Sequence, residues 1–192
     1  MSLPNPDAHI VFLAIRAAIG NNIKGSFYQF GIRDGYTLAA AYGCSESPNI
    51  KALRDKEGHD SNPMNFYGAE ATVTQEVQER IMSTGMPPER LKLVTKDTNT
   101  LSGQDKAAVV FVSRDKGVNV LAALATSSML IQPGTILIID RWWALDRTAR
   151  AGFDRWAHML FPLKDFDNHF EVFHDNGWAR AFMMRGNIEQ KD

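Results

Sequence analysis

Residues 25–43 read GSFYQFGIRDGYTLAAAYG, and the fold follows from how that stretch divides. Ser26 to Phe30 is a short β-prone run. Gly31-Ile32-Arg33-Asp34-Gly35 is a glycine-bracketed turn, and an Ala-rich helix opens near Thr37 and closes at Gly43. Strand, glycine turn and helix start are the parts from which α/β proteins build a nucleotide pocket. Glycine lets the backbone come close to a ligand, and the helix start offers unpaired N–H donors. A GxxxG turn after a strand is as often a plain tight connection, so the order of the flanking elements has to decide.

Upstream, the sequence predicts a helix from Asp7 to Gly20. Asp7 caps it, Ile10, Leu13, Ala14, Ala17 and Ala18 recur at helical spacing, and Gly20-Asn21-Asn22 stops it. Its apolar run is short, is broken by Arg16 and has no basic residues before it. It therefore reads as a helix rather than a signal peptide or membrane span, and the expected location is cytoplasmic. Downstream, Ser45 to Pro63 is polar and reads as a surface loop, with a short exposed helix over Asn49 to Glu57 as the alternative.

A second strand follows at Met64 to Tyr67, ending in Gly68-Ala69-Glu70. A helix spans roughly Thr74 to Ser83, closed by Gly85 and Pro87-Pro88. Leu91 to Val94 is a third strand, closing on Asp97. Ala107 to Val112 is a fourth, apolar throughout as a central parallel strand should be. Ser113-Arg114-Asp115 ends it, and a helix from about Val118 to Leu130 leads through Pro133-Gly134 to a fifth strand, Thr135 to Ile139. That strand ends in Asp140-Arg141-Trp142-Trp143, before a long helix over Leu145 to Met159. Two extended runs, His169 to His174 and Trp178 to Met184, flank Asp175-Asn176-Gly177. Asn-Gly there signals a hairpin with a primed turn.

This is βα repeated, then a hairpin. The expected architecture is an α/β domain over residues 1–192, an N-terminal helix in 1–24 and a core in 25–185. Its sheet should be mostly parallel, with helices on both faces and a C-terminal antiparallel hairpin. Ligands in such sheets bind beyond the C-terminal strand ends, which here carry Gly31 to Gly35, Glu70, Asp97, Ser113 to Asp115 and Asp140 to Trp143. Charge and composition narrow the chemistry. Net charge is −1 with both signs scattered, which leaves no basic stripe for nucleic acid. The single Cys44 rules out an internal disulfide and a multi-Cys metal site. There is no Ser-His-Asp order or phosphate-binding P-loop, and Gly31 and Gly35 alone fall short of the nicotinamide fingerprint.

The layout resembles the class I S-adenosylmethionine-dependent methyltransferases, within them most the macrocin O-methyltransferase and cephalosporin hydroxylase group. The resemblance runs from Gly25 to Arg185. Its strongest piece is residues 111–142, FVSRDKGVNVLAALATSSMLIQPGTILIIDRW. It implies a Rossmann-like methyltransferase fold, S-adenosylmethionine as cofactor, and O-methylation of a small sugar or polyketide-like acceptor. The scattered charge and the short, broken apolar run predict neither nucleic acid nor membrane as partner, and a homo-oligomer stays open. Residue by residue, Phe30 to Gly35 matches the first motif, so Gly31 and Gly35 would back onto the methionine part of the cofactor. Gln29 stands where the family has an acid. Glu70 matches the acid that holds both ribose hydroxyls, Asp97 lies where the adenine amino group is contacted, and Ser113 stands at the fourth strand's end.

Departures follow from the same comparison. Metal-dependent members end the fourth strand in two close acids and the fifth in two consecutive ones. Here Ser113 replaces the first acid, Asp115 matches the second, and the consecutive pair has become Asp140-Arg141. A hard cation wants several oxygen ligands, and Arg114 and Arg141 would oppose it, so a divalent metal is doubtful and no metal ligands are assigned. Those arginines could instead pair with the aspartates or grip an anionic substrate. Asp115 and Asp140 are the candidate catalytic bases by position. His158 reads as a helix residue, and His9, His59, His169 and His174 as surface residues. The lost acids at positions 29, 113 and 141 also permit a catalytically degraded relative that serves as a cofactor-binding or assembly module.

Overall fold

Strand β1 (Ser26–Phe30), the run that ends in the glycine turn, lies inside a seven-stranded sheet. In the computed structural model, residues 6–57, 64–70, 73–94, 105–113, 123, 129–144, 151 and 170–185 are described. Besides β1 the sheet holds β2 (Phe66–Ala69), β3 (Leu91–Val94), β4 (Ala107–Val112), β5 (Ile136–Ile139), β6 (Phe170–Asp175) and β7 (Arg180–Met184). Their order is β3-β2-β1-β4-β5-β7-β6. Strands β1 to β5 are parallel, and β7 runs antiparallel to both β5 and β6. The chain steps outward from β1 through β2 to β3, then returns to β4 on the other side. That reversal between β1 and β4 is where open α/β sheets form a ligand crevice.

Helices α1 (Pro6–Gly20), α2 (Tyr36–Ser45), α3 (Pro48–Glu57) and α4 (Gln75–Met82) supply residues to the core on one face. Ile10, Ala14, Ile15 and Ala18 of α1 join Phe27, Phe66, Val109, Phe111, Ile136 and Ile138 from the strands. The opposite face is a second core with Tyr28, Tyr67, Val110, Val112, Leu137, Ile139 and Phe182. Strands β4 and β5 are buried along their whole length, which is why their sequences are apolar without alternation.

Three sequence readings change. The polar stretch after α2 is not a plain loop: α3 forms, because Ile50 is fully buried in the α1-side core and Leu53 lies against Gly20. Two apolar residues suffice when a neighbouring helix receives them. Strand β2 starts two residues later than the apolar run suggests and ends at Ala69, in register with β1. The hairpin is not a two-residue primed turn, since Asp175 pairs with Arg180 and four residues form the loop. Asn176 explains it: its Oδ1 accepts from the N–H groups of both Trp178 and Ala179, and Gly177 takes φ +78°. The helices read at Val118 to Leu130 and Leu145 to Met159 lie almost entirely outside the described residues.

Two polar fastenings hold the strands from outside the cleft. At the N-terminal ends, the Asp105 carboxylate accepts from Ser26, Asn65 and Tyr67, while its carbonyl accepts from the Tyr28 hydroxyl. The Tyr28 and Tyr67 rings stack at 4.5 Å above it. At the α2 end, Arg90 donates twice to the Met64 carbonyl and once to Glu46, 2.9 Å away, under the rings of Tyr42 and Phe66. Burial alone would raise the Glu46 carboxyl, but its bond to Arg90 and the charges of Arg90 and Arg54 hold it below the usual range. Arg90→Ala removes all three bonds and is expected to cost about 2–3 kcal/mol in urea denaturation. Lys51→Ala, at the exposed edge of the same cluster, should stay within about 0.5 kcal/mol.

Candidate functional site

Register alone assembles the site. Gln29 pairs with Gly68 on one side and Phe111 on the other, and Phe111 pairs with Ile138, so these four residues lie level across four strands. Side chains in strands alternate faces with period two. Two residues further on, Gly31, Glu70, Ser113 and Asp140 therefore form the next row on the α1 side of the sheet. The ladder carries on far enough to fix that row. Gly31 N–H donates to the Ala69 carbonyl, Ser113 N–H to Phe30 and Asp140 N–H to Val112, at 2.8–3.0 Å. The glycine turn, Glu70 and Asp140 thus share one lip.

The turn is held in shape by Glu70. Its Oε2 accepts from the N–H of Ile32 at 2.8 Å and of Arg33 at 3.0 Å. Gly31 and Gly35 take positive φ, and Gly35 begins α2 without contributing a capping side chain. Gly68 lies beneath, where an added Cβ would stand 2.8 Å from Ile32 Cδ1 and would make that side chain shift. On the outside, Arg80 of α4 donates to the Asp34 carbonyl at 2.6 Å and stacks over Tyr36.

Behind the turn lies a charge cluster of which sequence reasoning found only the pairing of Arg141 with Asp140. Asp7, read there as a helix cap, sits inside the first turn of α1 and turns its carboxylate inward. The Arg33 guanidinium is 3.6 Å from Asp7 and 3.8 Å from Asp140, and Arg141 Nε is 3.5 Å from Asp140. Asp140 is fully buried. Arg33 and Arg141 both adopt left-handed backbone, an unusual state for a side chain of that size. Nothing in the local sequence marks Asp7, because its partners lie 26 and 133 positions away and only the α1 docking joins them.

Burial, then the nearby Asp140 charge, pushes the Asp7 carboxyl up to about 6, against the pull of Arg33 and Arg141. A raised carboxyl opposes folding wherever the unfolded chain has already lost its proton. The penalty is absent below about pH 4, grows through pH 4–6 and is complete above, reaching up to about 3 kcal/mol. Asp7→Asn is therefore expected to gain stability relative to the parent protein as pH rises from 4 to 7. Paired urea titrations across that range measure the gain, and a constant difference would contradict the assignment.

The residues suit the cofactor that the resemblance implies. Gln29 is buried; its Nε2 donates to the Gly31 carbonyl, while Oε1 has no partner among the described residues. The buried Ser113 hydroxyl likewise has none. Both bonds of Glu70 to the turn use Oε2, which leaves Oε1 without a hydrogen bond among the described residues. Buried polar atoms left open at a crevice are what a polar ligand satisfies. A divalent cation fits less well. Guanidinium groups approach Asp140 from Arg33 and Arg141, and among the described residues no three His, Cys, Asp or Glu side chains group to hold a metal. Asp97, Asp115, Arg114, His59, His158 and His169 lie outside the described residues. Among the described residues no helix is long and apolar enough to cross a membrane.

No protein-family model matches the sequence, and no curated protein is similar enough to match. Solved structures do match. The O-methyltransferase NovP superposes with a TM-score of 0.70 at 12% identity, over 93% of this chain and 79% of its own. CalS11, a TDP-rhamnose 3′-O-methyltransferase of calicheamicin biosynthesis, gives 0.59 at 17% identity, over 95% and 82%. TomG, an O-methyltransferase from Streptomyces achromogenes involved in tomaymycin synthesis and solved with S-adenosylmethionine, gives 0.59 at 12%, over 96% and 82%. At such identities the likeness establishes the fold.

Proposed function

The chain has the Rossmann-like fold of the class I methyltransferases, and we propose that it binds S-adenosylmethionine and methylates an oxygen of a small molecule. One observation carries the reading: Gly31, Glu70, Ser113 and Asp140 stand level on one lip at the sheet's reversal point. The small-molecule acceptor follows the CalS11 and TomG likeness, and a sugar or polyketide-like natural product is the class the sequence resemblance implies.

Gln29, Gly31, Gly35, Glu70, Asp97 and Ser113 are assigned to hold the cofactor. Glu70 does so with a carboxylate oxygen that can accept from adjacent hydroxyls, and the two glycines by letting backbone approach closely. When bound, S-adenosylmethionine supplies a methyl group activated by its sulfonium. The protein's part is then to align an acceptor oxygen with that group and to exclude water. Asp115 and Asp140 are assigned to the acceptor side. Asp140, buried between Arg33 and Arg141, orients those guanidiniums. Asp115 is the carboxylate proposed to take the hydroxyl proton.

Calorimetry with S-adenosylmethionine and with S-adenosylhomocysteine tests the proposal. Micromolar binding of both, with a raised melting temperature, is the expected result. No heat and an unshifted melting curve would sink it.

A further inference from the structure

Beyond Asp140 the lip continues into a surface that the cofactor roles leave unused. Trp142 N–H donates to the Trp178 carbonyl, tying the end of β5 to the hairpin loop. Arg180 lies over Trp143 at 4.4 Å and over Trp142 at 5.3 Å, and its guanidinium is committed to Asp175 at 2.9 Å. Arg141 differs. Its guanidinium lies 5.7 Å from the Trp178 ring centroid, and Trp178 is 47% exposed. Its Nε is buried 3.5 Å from Asp140 without a hydrogen bond, and neither Nη1 nor Nη2 donates to any described residue.

We propose that Arg141 and Trp178 form the acceptor-recognition element of the site, and that the acceptor is a ring carrying an anionic group. This rests on the methyltransferase reading above. Three features argue for it. A guanidinium fork matches a carboxylate or phosphate bidentately, and its planar face stacks on an indole, which fixes the fork's direction. The φ of +49° at Arg141 is an uncommon backbone state for a bulky residue. Such strain concentrates where a side chain must be aimed. The half-exposed indole beside it offers a face for the ring.

The test uses 4-hydroxybenzoate and uridine 5′-diphosphate as anionic probes, with 4-hydroxybenzamide and uridine as neutral counterparts. Binding is read by calorimetry and tryptophan quenching, with and without saturating S-adenosylhomocysteine. At least one anionic probe should bind about ten-fold or more tighter than its neutral counterpart, and whichever does so separates a carboxylate acceptor from a phosphorylated one. Arg141→Gln should abolish that preference, Arg141→Lys should keep only part of it, and Arg16→Gln, an equal charge change on an exposed residue of α1, should leave it intact. If Arg141→Gln melts early, Arg141→Lys and Trp178→Phe still decide, the latter weakening both probe pairs.

Equal binding of charged and neutral probes, or an unchanged preference in the Arg141 variants, would overturn the proposal. Cofactor binding without anion preference would reject the recognition element and leave the methyltransferase reading standing. Arg141-dependent anion binding without cofactor binding would do the reverse.

Discussion

Glu70→Ala should lower affinity for S-adenosylhomocysteine by about a hundred-fold and the melting temperature by several degrees. Two losses combine. The variant removes the carboxylate that would meet the ribose, and it frees the Ile32 and Arg33 N–H groups that Oε2 now fixes. Each charge-assisted bond to a backbone donor contributes about 1.5–3 kcal/mol. Glu70→Gln separates the two effects. An amide oxygen still accepts from both N–H groups, so thermal stability should largely return, while one acceptor position and the charge stay lost and affinity remains low. Both are read from one set of thermal-shift titrations. If Glu70→Gln bound the cofactor like the parent protein, Glu70 would be a support for the turn and nothing more.

Gly25→Ala is expected to be the most damaging single methyl addition among these residues. Gly25 has φ +152°, and a Cβ there would lie 2.4 Å from the Lys106 carbonyl oxygen and 2.8 Å from the Ala108 N. Those neighbours are backbone at the start of β4, so no rotamer change relieves the clash. Residue 25 also immediately precedes the register irregularity between Ser26 and Phe27. Overpacking and backbone strain together should cost about 3 kcal/mol, roughly 10 °C in melting temperature for a chain of this size. Gly43→Ala is the internal comparison, since nothing lies within 4 Å of its added Cβ. There the exchange replaces glycine by a better helix former and should be neutral or mildly stabilising.

The strands and the glycine turn were legible because their signals are local. Ser26 to Phe30, Leu91 to Val94 and Ala107 to Val112 fall where the apolar runs put them. The shared lip was legible too, since parallel pairing of such strands leaves their C-terminal residues side by side. What escaped was set by distant partners. Helix α3 depends on Ile50 finding the α1 side of the core. The hairpin loop is longer because the Asn176 side chain bonds Trp178 and Ala179 N–H groups, which outweighs the turn preference of Asn-Gly. Asp7 shows the same limit at the site. An acid near a helix start has a sufficient local explanation, and only the fold shows it facing Arg33.

The knot of hydroxyls around Asp105 grips three strands at the end remote from the cleft. A scaffold secured at its base tolerates mutation at its rim. Ser113 and Arg141 stand where acids are usual in the resembling group, and such replacements can be trialled by evolution while the sheet stays intact. The strand order would then persist while the residues lining the cleft change.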